Sequence, residues 1–234
     1  MFICKNIFNE MMPTRISACF LYIIVFMFAC TGSPEKKVSE ENNDQDTMST
    51  TAIKNILFFG NSLTAGYGLE PGEAFPELIQ KKIDSLGLPY RTINAGLSGE
   101  TTAGGNARID WLLKQRIDVF VLELGANDGL RGLPVKDTYT NLQSIVDKVK
   151  KAWPDCKIVL TGMLVPPSMG LDYSEDFKSI FPKLAKENDL VFVPFLLERV
   201  AGESHLNQQD GVHPTKEGQV IMAETVWNIL KTIL

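Results

Sequence analysis

From residue 52 onwards, short apolar runs alternate with longer amphipathic segments, and this alternation limits the chain to few folds. Strands are predicted at residues 56–59, 90–94, 119–122, 157–160 and 190–193. Helices are predicted at residues 75–86, 102–113, 135–152, 173–187 and from 215 onwards. About five such alternations build a parallel sheet that is covered by helices on both faces. The sequence therefore predicts an α/β fold.

Two polar residues directly follow predicted buried strands. Ser62 comes after the run 56–59, and Asn127 comes after the run 119–122. In an open parallel sheet, ligands bind beyond the carboxyl ends of the strands, which lie along one edge. We therefore expect Ser62 and Asn127 to lie on the same rim of the sheet.

Ser62, Asp210 and His213 together supply the chemistry of nucleophilic catalysis. Serine attack on an ester needs a nucleophile, a base that takes its proton and a carboxylate that orients the base. His213 is one of two histidines and lies three positions after Asp210. A surface or helix-capping histidine is the alternative, but this spacing favours catalysis. The serine is not in an α/β-hydrolase elbow, because Thr64 stands where that turn needs glycine.

Four short blocks, in order, resemble those of the SGNH (GDSL) hydrolase family. They are Gly60-Asn61-Ser62-Leu63, Ser98-Gly99-Glu100-Thr101, Gly125-Ala126-Asn127-Asp128 and Asp210-Gly211-Val212-His213-Pro214. The run 125–132 is similar to the bacterial periplasmic acyl-CoA thioesterase, lysophospholipase and arylesterase subgroup. The resemblance covers residue 56 to the end. It implies a flavodoxin-like three-layer α/β/α sandwich with a mostly parallel five-stranded sheet.

The resemblance also implies a serine esterase that cleaves carboxylic esters and thioesters without a metal or an organic cofactor. Ser62 would be the nucleophile, His213 the base and later the acid, and Asp210 the residue that orients the imidazole. The oxyanion would be bound by the backbone N–H groups of Ser62 and Gly99 and by the Asn127 amide. Lysophospholipase, thioesterase and arylesterase activities are expected. A carbohydrate acetylesterase is the first alternative, and a non-catalytic envelope binding lipoprotein is the second.

Two further features concern the substrate and the nucleophile turn. In the subgroup that the chain resembles, Val165 and Pro166 would border the acyl pocket. They lie in an apolar loop, residues 163–169, which either binds an acyl chain or packs as ordinary core or lid.

Asn61 stands where the family name records Asp. Asn keeps one acceptor oxygen of similar shape, so we expect activity to survive.

The first fifty residues have a different composition. An apolar run at residues 16–29 is shorter than the roughly 20 residues of a membrane span and has the length of a signal-peptide core. Residues 1–30 are therefore predicted to be a signal peptide with a lipoprotein cleavage site before Cys30, which would carry lipid. A plain signal peptide or an uncleaved anchor is the alternative. Residues 31–51 are predicted to be a disordered tether, and residues 52–234 to be the hydrolase domain.

The net charge of the chain limits the classes of binding partner. The net charge is -5 and no basic stripe is present, which argues against a nucleic-acid partner. A small-molecule or lipid ester is the expected substrate, and the bacterial cell envelope is the expected location.

Cys156 is the one cysteine of the predicted domain, so no disulfide is expected within it. Its apolar surroundings favour a packed thiol over a nucleophile.

Overall fold

The described part of the chain is built on five parallel strands in the order β2-β1-β3-β4-β5. The computed structural model describes residues 52–234; the predictions of a signal peptide, a tether and lipidation at Cys30 lie outside the described residues. The strands are β1 (Lys54–Gly60), β2 (Tyr90–Gly96), β3 (Val119–Glu123), β4 (Lys157–Thr161) and β5 (Val191–Val193). All neighbouring pairs run parallel, which confirms the predicted sheet.

Helices cover both faces of this sheet. They are α1 (Ser62–Ala65), α2 (Phe75–Ser85), α3 (Thr102–Leu112), α4 (Ala126–Leu130), α5 (Val135–Ala152), α6 (Leu171–Asn188) and α7 (Lys216–Leu230). On one face α5 packs between α3 and α6, and on the other α2 packs against α7. The three-layer α/β/α sandwich is thereby confirmed. The sequence prediction lacks α4, because a helix of five residues shows no periodicity.

The core lies on both sides of the two central strands. The side chains of β1 from Ile56 to Phe59 and those of β3 from Phe120 to Leu122 are completely buried. A strand that is buried on both faces reads as a continuous apolar run, which is why the sequence located both strands. The Phe59 and Phe120 rings also contact each other between these strands, with 5.6 Å between ring centroids.

The strand register aligns the carboxyl ends of the three adjacent strands β2, β1 and β3. Gly60, at the end of β1, pairs with Gly96 on one side and with Glu123 on the other. The chain therefore leaves all three strands at the same level of the sheet. Ser62, Gly99 and Asn127 follow these ends within two to four residues. The register places the predicted residues on one rim, as the sequence predicted for Ser62 and Asn127.

Candidate active site

Ser62, His213 and Asp210 form a continuous hydrogen-bonded chain. His213 Nε2 lies 2.9 Å from Ser62 Oγ, and His213 Nδ1 lies 2.7 Å from Asp210 Oδ2. Because an ionised carboxylate only accepts hydrogen bonds, the network assigns the ring proton to Nδ1. The unprotonated Nε2 then accepts from the Ser62 hydroxyl. In this arrangement a serine hydroxyl can pass its proton to the imidazole.

The turn after β1 presents Ser62 at the start of α1. Asn61 is the N-cap of this helix, and its Oδ1 accepts the Leu63 N–H at 2.9 Å. Ser62 is the first helical residue, where the backbone N–H has no partner within the helix. Among the hydrogen bonds of residues 52–234, neither the Ser62 N–H nor the Gly99 N–H donates to a protein acceptor. Both are therefore free to donate to a ligand.

Asp210 and His213 are held by a tight turn directly before α7. Asp210 Oδ1 accepts the His213 N–H at 3.0 Å and the Val212 N–H at 2.9 Å. The backbone bond from His213, the bond to its ring and the backbone bond from Val212 lower the pKa of Asp210 to about 2. Asp210 therefore remains a carboxylate beside the imidazole throughout the neutral pH range.

Tyr67 covers the outer side of the histidine ring. The Tyr67 and His213 rings lie 4.6 Å apart between centroids, at 41°. The Gln208 side-chain amide donates to the Tyr67 carbonyl at 2.7 Å and to the Pro214 carbonyl at 3.0 Å, which ties this segment to the histidine loop. Tyr67 was not predicted from the sequence. Its position between Gly66 and Gly68, shortly after Ser62, is the signal that the sequence offered.

The loops after β2 and β3 are fastened to each other. Asn127 Nδ2 donates to the Glu100 carbonyl at 3.0 Å, and Arg131 Nη2 donates to the Gly99 carbonyl at 3.0 Å. A primary amide has two hydrogens, so the second N–H of Asn127 remains available. Gly99 has a φ of +80°, a conformation that residues with a Cβ rarely adopt. The contribution of Arg131 was not predicted from the sequence.

A buried carboxylate lies directly behind the nucleophile turn. Glu123 is fully buried and accepts three hydrogen bonds: from Asn61 N at 3.0 Å, from Asn61 Nδ2 at 2.8 Å and from Thr64 Oγ1 at 2.8 Å. Burial raises its pKa to about 7, although these hydrogen bonds oppose the shift. The strand predicted from the sequence ends one residue before Glu123. A charged residue that continues a buried apolar run was the signal.

The apolar loop after β4 contains both buried and exposed positions, and the role of Val165 and Pro166 in acyl binding stays a prediction. Val165 is buried against Gly129, where an added Cβ would come within 2.3 Å of Val165 Cγ1. Met163 is buried too, whereas Leu164 and Pro166 are exposed. Val165 therefore packs against the segment that carries Asn127, and Pro166 lies on the surface beside it.

Cys156 and His205 lie apart from this site. Cys156 is partly buried at the start of β4, and burial raises its thiol pKa to about 12. A thiol with such a pKa is a poor nucleophile, in agreement with the sequence interpretation. His205 is exposed, and its nearest carboxylate, that of Glu203, is 4.0 Å away.

Comparisons with known proteins agree with this geometry. Residues 58–221 match the sequence model of the GDSL-like Lipase/Acylhydrolase family. The chain is 37% identical over 184 residues to Esterase TesA of Pseudomonas aeruginosa, covering 78% of this chain and 90% of that protein. It is 38% identical over 179 residues to Thioesterase 1/protease 1/lysophospholipase L1 of Escherichia coli K12, covering 76% and 84% respectively. A crystal structure of TesA superposes with a TM-score of 0.74 at 37% identity, covering 77% of this chain and all of the other.

The buried Glu123 predicts a specific pH dependence of stability. Its folded pKa of about 7 lies above the ordinary value of 4.5 that the unfolded chain restores. Between pH 5 and pH 8 the folded state thus loses a proton that the unfolded state has already lost, and stability falls as pH rises. We expect the free energy of unfolding of the wild type, relative to Glu123→Gln, to fall by about 3 kcal/mol over this range. Denaturant unfolding at both pH values measures this, and a constant difference would contradict the raised pKa.

Proposed function

The chain belongs to the GDSL-like lipase/acylhydrolase family of serine esterases, and on that premise we propose that it hydrolyses lipid and other acyl esters through an acyl-enzyme on Ser62. The observation that carries the proposal is the hydrogen-bonded chain from Ser62 Oγ through His213 to Asp210. A serine that is hydrogen-bonded to an oriented imidazole is the geometric signature of an activated nucleophile.

In the proposed reaction, Ser62 Oγ attacks the ester carbonyl carbon while His213 Nε2 takes the hydroxyl proton. Asp210 stays ionised and stabilises the imidazolium. The tetrahedral intermediate collapses as His213 gives the proton to the leaving alcohol or thiol, which leaves the acyl group on Ser62. A water molecule, deprotonated by His213, then attacks this acyl ester. Collapse of the second intermediate releases the carboxylic acid and returns the proton to Ser62.

The oxyanion of each intermediate would accept hydrogen bonds from three groups on the rim. These are the Ser62 N–H, the Gly99 N–H and the second N–H of the Asn127 amide. Removing one such donor typically costs roughly 3–4 kcal/mol of transition-state stabilisation. The bonds from Asn127 to the Glu100 carbonyl and from Arg131 to the Gly99 carbonyl support this assignment, because they hold the donors in place before substrate binds.

For the substrate, we favour an ester with an acyl chain of medium length or longer. Exposed apolar side chains flank the site: Leu130 and Leu164 on the side of Asn127, and Val212 beside His213. The acyl chain would lie along the loop that contains Val165 and Pro166. Two relatives are named as an esterase and as a lysophospholipase, which supports the same class of substrate.

The proposed location is the bacterial cell envelope, with the mature chain anchored by lipid on Cys30. The apolar run 16–29 directly before Cys30 supports this proposal. Within residues 52–234, none of the helices combines the length and apolar composition that a membrane span requires. An enzyme outside the cytoplasm meets little acyl-CoA, so lipid or other esters are better candidates than CoA thioesters.

Ser62→Ala tests the nucleophile assignment. We expect kcat to fall by a factor of at least about 10⁴, because the variant lacks the attacking oxygen. Covalent labelling by a fluorophosphonate probe should disappear as well. Ser179→Ala, an exposed serine on α6, is the control and should keep full labelling. Unchanged activity in Ser62→Ala would refute the mechanism.

The substrate class can be measured with acyl esters of graded chain length. We expect kcat/KM to rise from acetyl to about octanoyl esters, since each buried methylene contributes about 0.8 kcal/mol. Lysophospholipid should be cleaved, and acetylated xylan should be a poor substrate. A strict preference for acetylated sugars would instead identify a carbohydrate acetylesterase.

Cys30→Ser tests the anchor in the full-length chain. We expect the wild-type protein to enter the detergent phase on phase partition and the variant to stay in the aqueous phase, since the variant lacks the sulfur that would carry lipid. Ser33→Ala, three residues further on, is the matched control. Equal partition of Cys30→Ser and the wild type would show that Cys30 carries no anchor.

A further inference from the structure

Glu123 is a buried titratable group for which the proposed reaction has no use. It ends β3 directly beside Gly60 of β1, in the register of the parallel pair. Its side chain is completely buried, so it meets neither solvent nor substrate. A carboxylate is costly to bury unless hydrogen bonds compensate for the lost water. The hydrogen-bond donors that surround Glu123 therefore indicate its role.

All three hydrogen bonds of Glu123 go to the residues on either side of the nucleophile. Oε2 accepts the Asn61 N–H at 3.0 Å and the Thr64 hydroxyl at 2.8 Å, and Oε1 accepts the Asn61 side-chain amide at 2.8 Å. Asn61 precedes Ser62, and Thr64 follows it by two positions. One rigid carboxylate on a central strand thus holds both sides of the turn that carries Ser62.

Gly60 provides the space that this contact needs. A Cβ at position 60 would lie 2.4 Å from Glu123 Oε2 and 2.1 Å from Thr64 Oγ1. Both distances are far below van der Waals contact, and neither atom is free to move, because they are hydrogen-bonded to each other. Position 60 therefore requires glycine, because any Cβ there would clash with the hydrogen-bonded Glu123 and Thr64 side chains.

The orientation of the Asn61 amide follows from the same bond. Because Nδ2 donates to Glu123, Oδ1 must point the other way, where it accepts the Leu63 N–H at 2.9 Å and lies 3.4 Å from Ser62 Oγ. An aspartate at position 61 would place two carboxyl groups 2.8 Å apart in a buried site. Two such groups cannot both ionise and must share a proton. Asn61 and Glu123 are therefore complementary as amide and carboxylate.

We propose that Glu123 is a positioning residue for Ser62, acting through Asn61 and Thr64. The proposal rests on the proposed role of Ser62 as nucleophile. Glu123 fixes the turn so that Ser62 Oγ stays within reach of His213 and the Ser62 N–H points outward. A misplacement of about 1 Å at a reacting centre can cost a factor of about 10² in rate.

The hydrogen-bond pattern predicts that Glu123→Gln is damaging and that a second change, Asn61→Asp, compensates for it. Glu123→Gln brings an NH₂ group against one of the donors on Asn61 or Thr64, which leaves a buried donor unpaired. Asn61→Asp brings two carboxyl groups together, and these stay paired by sharing one proton. In the double variant N61D/E123Q, the new amide donates to the carboxylate at position 61. Its oxygen accepts the residue 61 N–H and the Thr64 hydroxyl, so every group is paired again.

The experiment compares the wild type, both single variants and the double variant on a soluble aryl ester at pH 8. We expect Glu123→Gln to lose a factor of about 10 to 100 in kcat with KM changed less than about threefold, because the turn and not the acyl site is disturbed, and Asn61→Asp to lose less. The rate of Ser62 labelling by the fluorophosphonate should fall in parallel. The double variant should recover to within about fivefold of the wild type, a coupling that independent sites do not show.

Val146→Ala, which truncates a core side chain on α5, is the control for lost stability alone, and its labelling rate per folded molecule should not change. If a single variant does not fold, Thr64→Val removes one of the three bonds and should lower kcat severalfold. A double variant no better than Glu123→Gln, or a Glu123→Gln variant with wild-type kcat, would overturn the role of Glu123. If the wild type itself fails to label at Ser62, the proposed function fails with it.

Discussion

The structure depends on the register of three parallel strands. Gly60 is level with both Gly96 and Glu123, so the chain leaves β2, β1 and β3 at one height. Parallel strands deliver their following loops to the same edge, and here those loops carry Ser62 and the candidate oxyanion donors. The shift of any one strand by a single residue would turn its side chains to the other face and separate these groups. The buried apolar side chains of β1 and β3 hold the register in place.

Two carboxylates contribute to the candidate site, one in a surface turn and one in the core. Asp210 lies in a surface turn, where two backbone N–H groups and the His213 ring hold its pKa at about 2. Glu123 lies in the core, where burial raises its pKa to about 7. The first is suited to stay charged beside an imidazole that gains and loses a proton. The second orders the backbone around Ser62 without reaching the substrate.

Much of the fold was predictable because its signals are local. The strands β1 and β3 are continuous apolar runs, and α5 was predicted with the bounds Val135–Ala152 that the structure has. The helix α4 was missed because it is short, and its formation depends on the positive φ of Gly125. Val165 shows another limit, since an apolar loop residue can face either a ligand or the core. Its contact with Gly129 depends on how the loop after β4 packs on α4.

The sequence by itself determined the alternation of strand and helix, the chemical types at the site and the family blocks, because periodicity and short spacings are local properties of the chain. Only the tertiary structure decided that Glu123 accepts a hydrogen bond from Asn61 and that Tyr67 covers His213. Ser62 and His213 are 151 residues apart, and Asn61 and Glu123 are 62 apart. Contacts at such separations depend on strand order and register, which emerge only when the whole sheet packs between its helices.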